Sequence, residues 1–340
     1  MKMVEQAVIT EDEAQLYDRQ IRLWGLDAQR RLRASRVLLI GLRGLGAEVA
    51  KNIVLAGIKS ITLLDHTQVS KEDAASNFLV SRDDFGKNRA EMAQSRTQQL
   101  NPMVEVMADN ENATDKPDSF FTDFDVVCAL CCKPEQQVRI NQICAENDIK
   151  FFCGDVFGYY GYMFSDLGSH EYAEEVHKKK DTSTSEDGSP AKKAKTEEQD
   201  TVMVKNSVNY VRLKNALNVD WKENAKSLRR TPSAYFVMKV INQFLETEGR
   251  RPEVETAAED ATKLRSLKPE LLEQIGVKTD IIDDEFASKC FAELSPVCAV
   301  VGGVLGQEII KAVSQKDVPH NNFFFYNGVD GSGLVDKIGS

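Results

Sequence analysis

The feature that most constrains the fold is a pair of short apolar runs with a helical stretch between them. Residues 37–40 form a continuous apolar run that ends in Gly41, and a helical pattern continues from there to Ala56. A second run, residues 61–64, ends in Asp65. Two short buried strands joined by a helix make a βαβ unit, the building block of a parallel sheet. The sequence therefore predicts an α/β fold.

Later segments continue the alternation of strand and helix. Further apolar runs lie at residues 104–107, 126–130 and 151–153, with a helical segment at about 134–147 between the last two. Near the carboxyl end, Pro296 opens an apolar helix, and the run 323–326 forms a late strand. We expect a doubly wound, Rossmann-like sheet that this helix and strand complete.

The patterns divide the chain into four parts. They are a helical arm (1–35), a Rossmann-like domain (36–165), an inserted helical lobe (166–292), and the helix and strand that complete the sheet (293–340). Helical patterns at 235–245 and 264–290 define the lobe. Within it, residues 177–201 contain almost no apolar side chains and cannot offset the entropy of ordering, which predicts a disordered loop.

Charge and composition exclude several classes of protein. The 43 Lys and Arg residues against 53 Asp and Glu give a net charge of −10, whereas nucleic-acid and membrane-surface binders carry a basic footprint. The amino end lacks the apolar segment of a signal peptide, and the longest apolar run, 297–306, is shorter than a bilayer span. The seven cysteines lack disulfide-framework or zinc-ligand spacing. We expect a nuclear or cytosolic protein with reduced thiols that binds no nucleic acid, membrane or metal.

The loop GLRGLG, residues 41–46, lies at the first strand-to-helix turn. There the backbone at Gly41, Gly44 and Gly46 can approach phosphate at the positive end of the helix dipole, and Asp65 is placed to meet a ribose hydroxyl. The alternative is a tight turn that needs glycine only for close helix packing. Arg43 favours that alternative because it puts a bulky side chain in the loop, although a guanidinium could itself contact phosphate.

Three motifs together resemble the activating enzymes of ubiquitin-like modifiers: YDRQIRLWG at 17–25, the glycine loop, and PVCAVVGG at 296–303 with Gln307-Glu308. The resemblance covers nearly the whole chain. It implies an adenylation fold that uses ATP and Mg²⁺ to activate the modifier's terminal glycine, which then passes to a cysteine as a thioester. The compact length and PHNNFFFYNG from Pro319 are similar to the small, non-catalytic subunits of SUMO-activating heterodimers. The implied partners are the large catalytic subunit and, through the complex, SUMO and its conjugating enzyme.

The sequence departs from the pattern that the resemblance implies for a catalytic half. Arg43 replaces the middle glycine, Ala75-Ser76-Asn77 replaces an Asn-Arg pair, and Arg89 stands near the expected lysine. Cys131-Cys132 occupies the place of the magnesium-binding Asp and its Asn neighbour, and thiols in an apolar setting do not hold a hard cation. We therefore expect a degenerate adenylation domain, with ATP and Mg²⁺ bound mainly by the partner.

The thioester step lacks its nucleophile. The resemblance places the transfer cysteine in the insert, yet no cysteine lies between Cys153 and Cys290. The cysteines that are present lie in or beside apolar runs, which is typical of structural thiols. The catalytic cysteine is therefore expected in the partner.

Arg19 is the strongest candidate for a catalytic role. The resemblance implies that the arm crosses to the partner, where Arg19 would meet the ATP phosphates as an arginine finger. Arg22 is a weaker candidate of the same kind. The alternative is a solvated arginine on an amphipathic arm, with Tyr17 and Trp24 anchoring the arm by packing.

Other functions remain as alternatives. Arg43, Cys131 and Cys132 oppose a self-sufficient, homodimeric adenylating enzyme of the sulfur-carrier type. An NAD(P)-dependent oxidoreductase rests on the glycine loop and Asp65 alone. A regulatory subunit for another ubiquitin-like modifier would be longer, as that family is known. The lysine clusters 178–180 and 192–195 fit either a two-part nuclear import signal or a charged solvated loop.

The apolar helix from 297 to 314 also has two interpretations. Gly302, Gly303 and Gly306 interrupt its apolar surface and would permit close approach of another backbone. Such a helix either lines a subunit interface or belongs to the core.

Overall fold

The computed structural model describes residues 9–177 and 201–339. Within the predicted loop 177–201 only the two end residues belong to this part, and both lysine clusters lie outside it. The strands of the described residues are β1 (Arg36–Ile40), β2 (Ser60–Leu64), β3 (Glu105–Asp109), β4 (Val126–Leu130), β5 (Lys150–Phe157), β6 (Tyr160–Asp166), β7 (Ser169–His177), β8 (Thr201–Asn209), β9 (Phe323–Asn327) and β10 (Ser332–Asp336).

Thirteen α-helices lie in the same residues. They are α1 (Glu11–Leu16), α2 (Asp18–Trp24), α3 (Leu26–Ala34), α4 (Gly44–Leu55), α5 (Asp73–Ser76), α6 (Arg89–Leu100), α7 (Asp118–Phe121), α8 (Pro134–Glu146), α9 (Leu213–Leu217), α10 (Ala225–Leu228), α11 (Ser233–Glu248), α12 (Ala257–Gln274) and α13 (Ser295–Ser314). Short 3₁₀ turns lie at Arg82–Asp84, Thr279–Ile281 and Asp284–Ser288.

Eight strands form one sheet in the order β10-β9-β6-β5-β4-β1-β2-β3. The strands from β5 to β3 are parallel, and β6, β9 and β10 extend the sheet antiparallel. Leu39 in the central strand lies opposite Leu63 on one side and Cys128 on the other. Helices cover both faces, which explains why the parallel strands are continuous apolar runs. The predicted α/β fold is confirmed.

Each face of the sheet has its own core because side chains alternate along a strand. Leu38 and Ile40 of β1 join a core that includes buried side chains of α8, α11 and α12. Val37 and Leu39 join the opposite core, with α4, α6 and α13. The helix that carries the glycine loop, α4, and the late helix α13 therefore lie on the same face, where they pack against each other.

The amino-terminal arm is three short helices rather than a single one. Thr10 and Glu13 form a capping box at the start of α1, and the chain bends at Tyr17 between α1 and α2. Gly25, with φ of 90°, separates α2 from α3, a backbone conformation that favours glycine. The two bends give α2 a direction of its own.

The insert differs from the predicted helical lobe at its start and at its end. It opens with a two-stranded antiparallel ribbon, β7 with β8, whose largely polar sequence has only one short apolar run, residues 202–204. The leucine-spaced region predicted as helical through residue 290 leaves the α-helix after Gln274, where Gly276 adopts a φ of 76° and 3₁₀ turns follow. Two strands of the main sheet, β6 and β10, are also absent from the prediction, and each pairs antiparallel with the strand before it.

Among the described residues, α13 is long and apolar enough to cross a membrane by length and composition, with a mean hydropathy of 1.5. It extends beyond the apolar run 297–306 on which the expectation from sequence rested. In this fold 67% of its apolar window is buried, and α13 packs on α3 and α4. The core interpretation is confirmed where Gly302 packs on Glu48. Ala299, Val300 and Gln307 are exposed, and the subunit-interface interpretation stays a prediction.

Candidate functional site

The glycine loop is packed tightly against its surroundings. At Gly41, with φ of 83°, a β-carbon would lie 2.4 Å from the Leu130 carbonyl oxygen. At Gly46 it would lie 2.2 Å from the Gly41 carbonyl oxygen, and at Gly44 it would lie 2.7 Å from the Ser76 β-carbon. Packing alone therefore requires glycine at all three predicted positions, without any ligand.

A carboxylate lies where the loop would receive phosphate. Glu293, 7% exposed, accepts a hydrogen bond from the Leu45 N–H at 3.1 Å, at the amino end of α4. That end of a helix attracts anions through its unpaired N–H groups and dipole. Arg43 lies beside Glu293, with Nε 3.8 Å from Oε1, and pairs with Glu72 at 2.9 Å. The chain thus supplies its own anion and holds Arg43 between two carboxylates.

Asp65 is also engaged within the chain. Its Oδ2 accepts hydrogen bonds from the Leu42 N–H and from Arg89, both at 2.8 Å, and its Oδ1 accepts two from Thr67. Burial alone would raise the pKa of Asp65, but Arg89 and these hydrogen bonds hold it below its usual value. Arg89 also pairs with Asp73 at 2.9 Å. The carboxylate that was predicted to meet a ribose hydroxyl is therefore bonded to neighbouring residues.

A third ion pair, between Asp155 and Arg251, lies near the glycine loop. Asp155, 1% exposed, accepts hydrogen bonds at 2.8 and 2.7 Å from one nitrogen of Arg251, and a second nitrogen donates to the Val156 carbonyl at 2.7 Å. The guanidinium also lies 4.5 Å from the ring centre of Phe157. Arg251 belongs to the loop after α11, so this pair joins the insert to the sheet.

The place predicted for the magnesium-binding Asp contains thiols in a polar setting rather than an apolar one. Cys131 donates to Glu293 at 3.3 Å and forms a cluster with Glu293 and Asp155, whose ligand atoms lie within 4.8 Å of one another. Burial, with these two carboxylates, raises the pKa of Cys131. Because Arg251 and Arg43 lie against the same carboxylates, the residues do not fit a magnesium–phosphate group, which needs free oxygen ligands.

The cavity on the Asp65 side of the loop is small, whereas a second one, of about 440 Å³, lies beside Glu72 and Phe157. The cavity beside Gly41, Arg43 and Asp65 has a volume of about 210 Å³, below the ~300–1,000 Å³ of typical small-molecule sites. Arg89 and Arg251 also line it. Three side chains around the loop were not identified from the sequence, Glu293, Asp155 and Arg251, and of these Arg251 lines the cavity. Only Asp155 gave a signal, as an acid inside an otherwise apolar strand.

The arm places the two candidate arginines differently. Arg19 is exposed, in the first turn of α2, and makes no hydrogen bond or ion pair with the residues that the structure describes. Arg22 pairs with Asp18 at 3.0 Å, and both side chains are exposed. Leu23, on the same short helix, is 75% exposed. The structure does not bring either arginine to the glycine loop of this chain.

Burial raises the pKa of all seven thiols, so little thiolate forms near neutral pH. None is in a disulfide. These properties are those of structural cysteines.

Comparison with known proteins identifies the family. The family model described as "ThiF family" matches residues 17–338. The chain belongs to the ThiF family. Among similar ThiF-family proteins are "SUMO-activating enzyme subunit 1" of Xenopus laevis, 54% identical over 339 residues (99% of this chain and 98% of the relative), and of Homo sapiens, 52% identical over 334 residues (97% and 96%). The resemblance stated from the sequence motifs is confirmed.

A solved structure of lower identity supports the fold. A crystal structure of E. coli MccB with succinimide matches with a TM-score of 0.54 and 13% identity, covering 95% of this chain and 72% of that one. At this identity the likeness concerns the fold alone. It agrees with the Rossmann-like sheet described above.

Proposed function

We propose that this ThiF-family chain is the small, non-catalytic subunit of a SUMO-activating heterodimer. The relatives named above support the pathway, and one feature of the structure supports the division of labour. The chain's own nucleotide loop is filled by Glu293 and flanked by paired arginines. The arm, in contrast, presents an exposed arginine, Arg19, that pairs with none of the described residues. ATP and Mg²⁺ would then be bound mainly by the large subunit.

In this proposal Arg19 acts in trans on the ATP bound by the partner. A guanidinium next to the phosphates stabilises the negative charge that develops as the adenylate forms and pyrophosphate leaves. Arg19 suits this role because no described residue neutralises it, and the exposed first turn of α2 carries it. Arg22 is the weaker candidate because Asp18 already pairs with it.

The arm and α13 offer the contact surface for the large subunit. Leu16, Leu23 and Leu26 are 58%, 75% and 41% exposed, an unusual set of apolar side chains on short solvent-facing helices. On α13, Val300 is 38% exposed, and a β-carbon added at Gly303 would meet nothing within 4 Å. A small residue on an open helix face permits a partner helix to approach closely.

The thioester step belongs to the partner in this proposal. The insert of this chain has no cysteine, and the thiols elsewhere are held protonated by burial. SUMO and its conjugating enzyme would therefore meet this chain only through the complex. We also propose a nuclear location, for which the lysine clusters 178–180 and 192–195 are the candidate signal.

The test is ATP–pyrophosphate exchange with SUMO, measured for the purified chain alone and together with the large subunit. We expect no exchange by the lone chain and exchange by the heterodimer. Arg19→Ala should lower kcat in the heterodimer by about 10²–10³-fold, the effect of losing one charge-stabilising donor. Arg30→Ala is the matched control, an arm arginine already paired with Asp27 at 3.0 Å.

The outcomes separate two claims. Exchange by the lone chain would show a self-sufficient adenylating enzyme and would overturn the whole proposal. Normal exchange by the Arg19→Ala heterodimer would remove only the role of the arginine.

A further inference from the structure

The arm is bonded to the carboxyl end of α4 through three side-chain amides. Asn101 donates to the Val54 carbonyl at 2.9 Å, Gln20 to the Leu55 carbonyl at 3.2 Å, and Gln29 to the Ala56 carbonyl at 3.0 Å. The last carbonyls of a helix lack partners within the helix and need donors from elsewhere. Two of the three amides come from α2 and α3, so the carboxyl end of α4 is a binding site for the arm.

Tyr17 fixes the start of α2 at this end of α4. Its side chain is 3% exposed, and its hydroxyl accepts a hydrogen bond from Asn101 at 2.8 Å. The ring packs on Gly57, where φ is 82° and a β-carbon would lie 2.5 Å from the ring. The same amide of Asn101 thus joins the tyrosine to the Val54 carbonyl at the end of α4.

The other end of α2 is fixed as well. Trp24, its last residue, donates through Nε1 to Oε1 of Gln29 at 3.1 Å, and Gln29 in turn donates to the Ala56 carbonyl. Arg19 lies between these two anchors, two residues after Tyr17. A short exposed helix would otherwise be marginal in water.

We propose that Tyr17, Asn101, Gln20 and Gln29 are positioning residues, which hold α2 in one orientation so that Arg19 is presented preformed to the partner's ATP. The proposal rests on the proposed function, since it assumes that Arg19 acts in trans. Catalytic groups on a fixed element act more effectively than groups ordered during the reaction, and a misplacement of about 1 Å can cost about 10²-fold in rate.

Tyr17→Phe is the most selective test because it keeps the ring and removes one hydrogen bond. In the heterodimer, ATP–pyrophosphate exchange should show a kcat about three- to tenfold lower, with the KM for SUMO unchanged. In an Arg19→Ala background the same substitution should cause no further loss, because it acts through the arginine. Tyr159→Phe is the matched control, an exposed tyrosine with no hydrogen bond from its hydroxyl to the described residues.

A second measurement keeps the proposal testable if Tyr17→Phe lowers the yield of the heterodimer. Gln20→Ala removes only the bond to the Leu55 carbonyl, and amide hydrogen exchange should become faster across residues 17–24 of the isolated chain. The positioning role would be overturned if both variants kept the wild-type kcat of ATP–pyrophosphate exchange. It would also be overturned if Tyr17→Phe lowered kcat equally with and without Arg19. If Arg19→Ala itself has no effect, the role of the arginine in trans fails first, so the two failures are distinguishable.

Discussion

The ion pair between Arg251 and Asp155 should be among the largest single contributions to the stability of this chain. Asp155 is 1% exposed on β5 and has two short hydrogen bonds from Arg251, whose side chain is 19% exposed. Arg251→Ala leaves this carboxylate buried without a cation. It also removes the contact with Phe157 and a hydrogen bond to the Val156 carbonyl.

The expected loss follows from that geometry. Removing one partner of a buried pair costs ~3–5 kcal/mol, and the partial exposure of Arg251 places this case at about 3 kcal/mol. Such a loss is a large share of a total stability of ~5–15 kcal/mol. Arg251→Met combined with Asp155→Asn should recover about half of it or more, because the unpaired charge is then absent.

Urea unfolding of the isolated chain, followed by far-UV circular dichroism, measures these differences. Arg30→Ala is the control, since its pair with Asp27 is on the surface and contributes ~0–1 kcal/mol. If Arg251→Ala lowers the free energy of unfolding no more than Arg30→Ala does, the buried ion pair does not stabilise the fold and the reasoning is refuted.

Three further predictions concern pH, assembly and thiols. Burial lowers the pKa of His170 to about 4, so below pH ~6.5 the unfolded chain binds a proton that the folded chain does not. The free energy of unfolding should therefore fall by up to about 3 kcal/mol between pH 6.5 and 4, and by less in His170→Gln. The same dependence of unfolding free energy on pH in both proteins would refute this. Leu23→Asp should weaken the heterodimer at least about tenfold in analytical ultracentrifugation without changing monomer stability, whereas the exposed-site control Val329→Asp should not. Burial raises the pKa of Cys144 to about 12, so a thiol reagent at pH 8 should label it only after unfolding; rapid labelling of the native chain would contradict this.

Much of the sheet could be predicted because buried parallel strands are continuous apolar runs. Strand β4, residues 126–130, matches its predicted bounds, and β1 and β2 differ from theirs by one residue. The ribbon β7–β8 gave a weaker signal because β7 is largely polar and β8 has only the three-residue apolar run 202–204. The bend at Tyr17 could not be foreseen either, since it depends on Gly57 and Asn101, which are distant in sequence.

The sequence allows a prediction of which active-site residues are missing, but not of which side chains occupy their place. Arg43 and Cys131 could be recognised as departures because the loop and strand that carry them have a known pattern. Glu293 fills the loop from a position 248 residues away from Leu45, and nothing local marks it as a partner of α4. Sequence spacing indicates which ligand group is missing, whereas only the fold shows what occupies its place.

Helix α4 connects these observations, because side chains cap both of its ends. Glu293 accepts a hydrogen bond at the amino end, where an adenylating relative would hold phosphate, and the amides of Gln20, Gln29 and Asn101 donate to the carbonyls at the other end. Its 12 residues span about 18 Å at 1.5 Å per residue. Because Glu293 belongs to the chain itself, it caps the amino end of α4 without a bound ligand. The filled loop and the anchored arm thus meet on one helix, and loosening the anchors at its carboxyl end should reach Arg19.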